Sequence, residues 1–316
     1  MYYVGVDIGG MSIKCAFMKE NGEVSNRFFL PIIKDEPQDS ALARVGNAIN
    51  ENILSSGLKK EEFAGVGIGC PGSINTITGV CEFSGNLGWD KAPIRDIVSK
   101  ITGLPVRVTN DANAAMLGEA KFGVGKEYNN LVLLTLGTGV GGGLFLNGKL
   151  FEGNEGKGAE LGHVIIEKGG RQCTCGLKGC LETYASATAL IKETKKAMYA
   201  HRDSAMWRYC EADIEKVTGR TAFDCAREGD ATAIQVLDEY GEYLALGIAN
   251  FCNIFRPDAV ILGGGLSNAG KELTDPVEKH LKEIHYGFKG TPAVKILIAS
   301  LKNDAGLLGA AALFLD

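Results

Sequence analysis

An α/β fold with mixed sheets is what the patterning of this chain predicts. Short apolar runs of strand character alternate with stretches of helical spacing along almost its whole length, and one strand, glycine-turn, strand unit occurs twice. A hydrophobic share of 45% in 316 residues suffices for two cores, and a chain this long exceeds what one core usually serves. Strands joined by tight turns pair antiparallel, whereas strands joined through helices run parallel, so the sheets are expected to be mixed.

The first run, residues 3–8 (YVGVDI), ends in Gly9-Gly10 and resumes over 13–18, with Asn21-Gly22 marking a further tight turn. Helical spacing over 41–54, a buried strand over 63–68, a helix over 94–101 and a short strand over 106–109 follow. Residues 131–136 (LVLLTL) lead into GTGVGGG at 137–143, resume over 144–146 and turn again at Asn147-Gly148. Shifted by 128 places, Asp7, Gly9 and Phe17 fall on Thr135, Gly137 and Phe145. A repeat that long suits two copies of one lobe, since solenoid units recur every 20–50 residues or so. Helices over 185–199 and 230–255, strands over 259–262 and 294–298 and an Ala/Leu-rich terminal helix complete the pattern, and the polar stretch 200–221 reads as a helical excursion. The expected domains are 1–120 and 121–316, with the terminal helix, about 303–316, able to pack back on the first.

The balance of 33 basic against 38 acidic residues, net −5, with no Lys/Arg block, argues against nucleic acid as a partner. No apolar run approaches the roughly 18 residues of a membrane span, and the chain enters its first strand without a charged leader. The expected location is cytoplasmic, where thiols stay reduced. Nine cysteines is an odd count, and Cys15, Cys70, Cys81, Cys210, Cys225 and Cys252 lie in apolar surroundings that suit core packing. Cys173, Cys175 and Cys180 differ: they crowd into eight positions among glycines, with His163 ten residues upstream. Thiolates and imidazoles are the usual ligands of structural zinc. Cys-x-Cys is tighter than the common zinc-finger spacing, so spacing alone leaves a metal site, a redox centre and coincidence all open.

Each of three glycine turns follows a predicted strand: Gly9-Gly10, 137–143 and 263–265. Lacking Cβ atoms, such turns bring backbone N–H groups close to an anion, yet each alone is equally an ordinary tight turn. The GxxxxGK[ST] loop is absent, and the second turn runs into Leu144-Phe145-Leu146, a strand pattern and not the helix of a dinucleotide site. Asn110-Asp111 falls at a strand-to-helix junction, where an N-cap and a catalytic acid are compatible readings.

Asp7-Ile8-Gly9-Gly10 with Lys14 resembles the first phosphate motif of the sugar-kinase, hexokinase and actin superfamily; residues 136–143 resemble its second, and 261–267 (ILGGGLS) its adenosine motif. Glu160-Leu161-Gly162-His163, followed by the cysteines and Glu182, is similar to the signature of the ROK family (repressors, open reading frames and sugar kinases). The resemblance runs from Asp7 to the NDAG turn at 303–306. It implies two actin-like, ribonuclease H-like lobes with a cleft between them, a homodimer, and ATP-dependent phosphorylation of a hexose, with the 6-hydroxyl of glucose the leading acceptor. It implies a structural Zn²⁺ on His163, Cys173, Cys175 and Cys180, orienting Glu160 and Glu182, and Mg²⁺ accompanying ATP. Asp111 would be the general base. The sugar contacts would be Gly72, Asn86, Asn110, Asp111, Glu160, His163 and Glu182, while Trp89 is read as packing. The nucleotide contacts would be Asp7, Gly9, Gly10, Ser12, Lys14, Gly137, Thr138, Gly139, Gly264 and Gly265, with Asp7 facing Mg²⁺ through water.

One departure stands out. Thr usually follows the two glycines of the first motif, whereas this chain has Met11 and then Ser12, and Met cannot donate a hydrogen bond. A sugar-binding regulator with weak catalysis is therefore one alternative; kinases for N-acetylmannosamine, N-acetylglucosamine, fructose or allose are others. A repressor of this family would carry a helix-turn-helix ahead of the first strand, with which this chain begins.

Overall fold

A computed structural model describes residues 1–284, 286–287 and 292–315. They form two compact units: Met1–Asn129, Gly143–Ala159 and Ser300–Asp316 make the first, Asn130–Gly142 and Glu160–Ala299 the second.

The first unit opens with β1 (Tyr2–Ile8), β2 (Ser12–Lys19) and β3 (Val24–Pro31), an antiparallel meander. Helix α1 (Gln38–Ser56) leads to β4 (Phe63–Cys70), which lies parallel to β1. A small sheet of β5 (Ser73–Asn75), β6 (Val80–Ser84) and β7 (Trp89–Ala92) follows, then α2 (Ile94–Thr102), β8 (Val106–Asn110) and α3 (Asp111–Phe122). The main sheet has the order β3-β2-β1-β4-β8. Helix α1 buries Leu42, Val45, Ile49 and Ile53, one stripe at helical spacing, and stops at Gly57 in a left-handed conformation (φ 74°). Each such aliphatic side chain withdrawn from water contributes about 1.5–3 kcal/mol. Trp89, 4% exposed, belongs to this core, as its reading as packing requires.

The terminal helix α10 (Ala305–Ala312) packs on α3, β1 and β4. The approach is close because small residues line both helices: a Cβ on Gly309 would overlap the carbonyl oxygen of Ala114, and one on Gly118 that of Ala305. Gly309→Ala is expected to cost about 1–3 kcal/mol through overpacking. An unshifted urea midpoint in that variant would contradict the tight crossing.

The second glycine-turn segment forms β9 (Leu131–Leu136), β10 (Val140–Leu146) and β11 (Lys149–Phe151), with the Asn147-Gly148 turn at positive φ in both residues, 52° and 77°. With β12 (Ala259–Gly263) and β13 (Lys295–Ile298) the sheet order is β11-β10-β9-β12-β13. The repeat seen in the sequence extends to register: Asp7 on β1 pairs with Gly69 on β4, and Thr135 on β9 pairs with Gly263 on β12, both parallel.

Helices α4 (Glu182–Ala185), α5 (Ala187–Ala200), α6 (Ala205–Tyr209), α7 (Thr221–Arg227), α8 (Ala231–Phe255) and α9 (Lys271–Ile284) complete the second unit. The 200–221 stretch is not one helix. Glu211 and Ala212, both left-handed (φ 54° and 60°), separate α6 from a short turn at Ile214–Lys216. Asp230 anchors the segment, accepting hydrogen bonds from Ser204 Oγ and Ala205 N while capping α8 through Ala233 N. Among the described residues no helix is long and apolar enough to cross a membrane.

Candidate active site

In the first unit the chemistry gathers at the carboxyl ends of parallel strands, where α/β sheets present ligand sites. β4 and β8 pair so that Cys70 faces Asn110. Asn110 caps α3, its Oδ1 accepting from Ala112 N at 2.8 Å, and its Nδ2 donates to Gly72 O at 3.0 Å. Gly72 has φ 117°, and a Cβ there would collide with Phe83 O and Ser84, so only glycine closes this turn. Asp111 is the first residue of α3 and exposed, with Oδ1 accepting from Ala112 N at 2.9 Å. Gly72, Asn110 and Asp111 are thus brought together. Behind them Thr109 Oγ1 donates to Glu152 at 2.5 Å; burial raises the pKa of Glu152, and this bond partly offsets the rise.

At the end of β1, Asp7 accepts from Lys14 Nζ at 3.0 Å, and Lys14 also donates to Asn303 O at 3.4 Å. Gly9 N donates to Ser12 O at 3.0 Å, closing the first glycine turn. Met11 stands 91% exposed at its tip. A groove of about 830 Å³ brings Gly10 and Met11 together with Asn86 and Leu87, the loop assigned to the sugar.

In the second unit, His163 Nδ1 lies 3.7 Å from Cys173 Sγ, Cys175 Sγ lies 3.7 Å from Cys180 Sγ, and the four ligand atoms are all within 4.8 Å of one another. Zinc–sulfur bonds of about 2.3 Å at tetrahedral corners put neighbouring sulfurs about 3.8 Å apart. The donor set and its spacing therefore suit a four-ligand Zn²⁺. Burial pushes the Cys180 thiol up to about 12. The other six cysteines are all buried, and none of the nine forms a disulfide; burial pushes Cys15 up to about 12, leaving it protonated and inert.

Glu182 begins α4. One carboxylate oxygen accepts from Val140 N at 3.0 Å, and the other lies 3.7 Å from Cys173 Sγ, so it links the thiol cluster to the second glycine turn. Glu160 is surface-exposed as a residue, yet its carboxyl is partly desolvated, which raises its pKa; His163 lowers it and Glu182 adds a smaller rise. Gly137 N donates to Gly139 O at 3.0 Å, and the turn is tied to α5 by Ala187 N to Gly137 O and Thr188 Oγ1 to Thr138 O, both 2.8 Å. Gly264 (φ 79°) lies against the backbone of Leu136, which brings the second and third turns side by side. Beside Gly265 a pocket of about 250 Å³ is lined by Arg220, Phe223, Asp224, Arg227 and Asn268. Neither these lining residues nor Glu152 are marked in the sequence: Phe223, Asp224 and Arg227 lie on α7, well before Gly265 in the chain, and only the fold brings them to the glycine turn.

The model of the ROK family matches residues 3–316. A glucokinase from Thermotoga maritima is 38% identical over 312 residues, covering 98% of this chain and 96% of the relative. A glucokinase from Halalkalibacterium halodurans is 37% identical over 312 residues, covering 98% and 93%. The crystal structure of a ROK family glucokinase from Streptomyces griseus, in complex with glucose and AMPPNP, superposes with a TM-score of 0.82 at 33% identity and covers 99% of both chains. Two strand meanders of matching topology, each with a glycine turn between its first two strands, define an α/β protein of the actin-like ATPase class. The chain belongs to the ROK family.

Proposed function

We infer that the protein transfers the γ-phosphoryl group of ATP to the 6-hydroxyl of a hexose, glucose above others, with Asp111 as general base. The protein is a sugar kinase, as its family and its full-length relatives establish. One observation carries the finer reading: an exposed carboxylate at the head of α3 whose neighbour Asn110 is tied to the Gly72 turn. Asp111 accepts the proton of the hydroxyl as its oxygen bonds to the γ-phosphorus; the bond from phosphorus to the bridging oxygen breaks, and ADP leaves with that electron pair.

Asn86, Asn110, Glu160 and His163 are the residues we assign to sugar hydroxyls. A carboxylate has about four acceptor positions, so Glu182 has capacity for a hydroxyl beyond its bond to Val140 N. His163, Cys173, Cys175 and Cys180 would hold Zn²⁺, which as a closed four-ligand ion gives the loop rigidity. Amides of the first two glycine turns face the phosphates, and the pocket beside Gly265 supports the adenosine assignment. Mg²⁺, when bound with ATP, supplies positive charge to the polyphosphate. Asp7, held by Lys14, would face that ion through water. Free thiols suit a cytoplasmic setting, and the homodimer implied by family resemblance belongs to the same proposal.

A coupled ADP-release assay over glucose, N-acetylglucosamine, N-acetylmannosamine, fructose and allose tests this. Glucose is expected to show the highest kcat/KM, by about tenfold or more, since one well-placed hydroxyl contact is worth over 1 kcal/mol. A higher value for an N-acetyl sugar would move the assignment to that substrate. Met11, exposed where the first motif usually has Thr, favours a second reading, a sugar-binding regulator with weak catalysis. Background ADP release with every sugar that binds would establish it.

A further inference from the structure

Glu119 is wholly buried, yet it touches none of the groups assigned to sugar or nucleotide. It lies two turns along α3 from Asp111. Its carboxylate accepts from Leu301 N at 2.7 Å, Ser300 Oγ at 3.2 Å and Val124 N at 3.1 Å. A buried carboxylate is costly unless hydrogen bonds satisfy it, so these donors hold Ser300 and Leu301 firmly on α3. Ser300 is where the chain re-enters the first unit.

The next residues form a short turn that touches the phosphate side of the site. Leu301 O accepts from Asp304 N at 2.9 Å, closing the 3-10 turn Lys302–Asp304. Within it Asn303 O accepts from Lys14 Nζ. The carboxylate of Asp304 accepts two hydrogen bonds from Arg27, at 2.9 and 3.0 Å. Gly306 lies against Asp7 so closely that a Cβ would stand 3.1 Å from Oδ1. The position of Lys14 and Asp7 thus depends on a turn whose entry is fixed by one carboxylate on the helix that begins with Asp111.

We propose that Glu119 is a positioning residue for the nucleotide half of the reaction: it registers the 300–306 turn, and through it Lys14 and Asp7, on α3. This rests on the nucleotide reading of Asp7 and Lys14 given above. An acidic side chain at this point offers two acceptor oxygens to the two donors of the incoming segment, where an amide side chain offers one.

The test compares Glu119→Gln, Ser300→Ala and Ile49→Val with wild type. The readouts are calorimetric Kd for a non-hydrolysable ATP analogue with Mg²⁺, Kd for glucose, and the thermal midpoint. Glu119→Gln turns an amide group toward a donor and is expected to weaken nucleotide binding about tenfold, with sugar affinity within about twofold. Ser300→Ala removes one bond and is expected to weaken nucleotide binding about three- to fivefold; it decides the question alone should Glu119→Gln not fold. Ile49→Val, a core change on α1, is expected to lower the midpoint and leave both affinities in place. Nucleotide affinity within about twofold of wild type in both Glu119→Gln and Ser300→Ala overturns the proposal. Nucleotide and sugar affinities falling together in step with the midpoint overturn it as well. A wild-type chain that binds no Mg–nucleotide overturns the kinase reading along with it, and that control tells the two failures apart.

Discussion

Asp111→Asn is expected to lower kcat by about 10²–10⁴-fold, the usual contribution of a general base, with the Kd for glucose within about threefold of wild type. The substitution keeps shape and one acceptor oxygen, so the bond from Ala112 N can persist and α3 keeps its first turn. Asn110, which does the capping and carries the link to Gly72, is untouched. What the amide cannot do is accept a proton from an attacking hydroxyl. Measuring turnover and sugar binding on the same preparation separates the two, and a variant retaining near-wild-type kcat would remove Asp111 from the chemistry.

The second large effect concerns the thiol cluster. Elemental analysis of purified protein is expected to give one zinc per chain, and stripping it to raise the Kd for sugar about tenfold or more, with a smaller change for nucleotide. The reason is local. His163 is a cluster member that we also propose as a sugar contact, Glu160 lies three residues before it, and Glu182 approaches Cys173. Without a cation the four side chains have only weak S–H contacts with one another, and the loop otherwise rests on hydrogen bonds made by its backbone. Cys180→Ser should reproduce the loss, since the side chain is fully buried and a serine hydroxyl is a poorer ligand. Equal sugar affinity in zinc-free and zinc-loaded protein would contradict the scaffold role.

What was legible in the sequence was local. The strand runs before Gly9, Gly137 and Gly263, the Asn147-Gly148 turn and the long α8 each announce themselves within about ten residues through period and turn chemistry. Helix α1 begins at Gln38, three residues earlier than apolar spacing indicates, because its first turn after Pro37 is polar and buries little. The break inside 200–221 depends on two left-handed residues that are neither glycine nor asparagine, so no breaker marks it. The cysteine loop and Asn110-Asp111 could be read because their residues lie close in sequence. Thr109 with Glu152 and Glu119 with Leu301 could not: these partners are 43 and 182 residues apart, and nothing near either one predicts the other.

The helix α10 has a consequence for biosynthesis. Its residues, among the last in the chain, fill the space over β1, β4 and α3, which belong to the first 122. A ribosome adding about 5–20 residues per second will expose the opening meander for many seconds before the piece that covers it has emerged. The earliest-made portion of this protein therefore cannot finish folding until residues 305–312 have emerged, and the apolar faces left waiting until then are where a nascent-chain chaperone would bind.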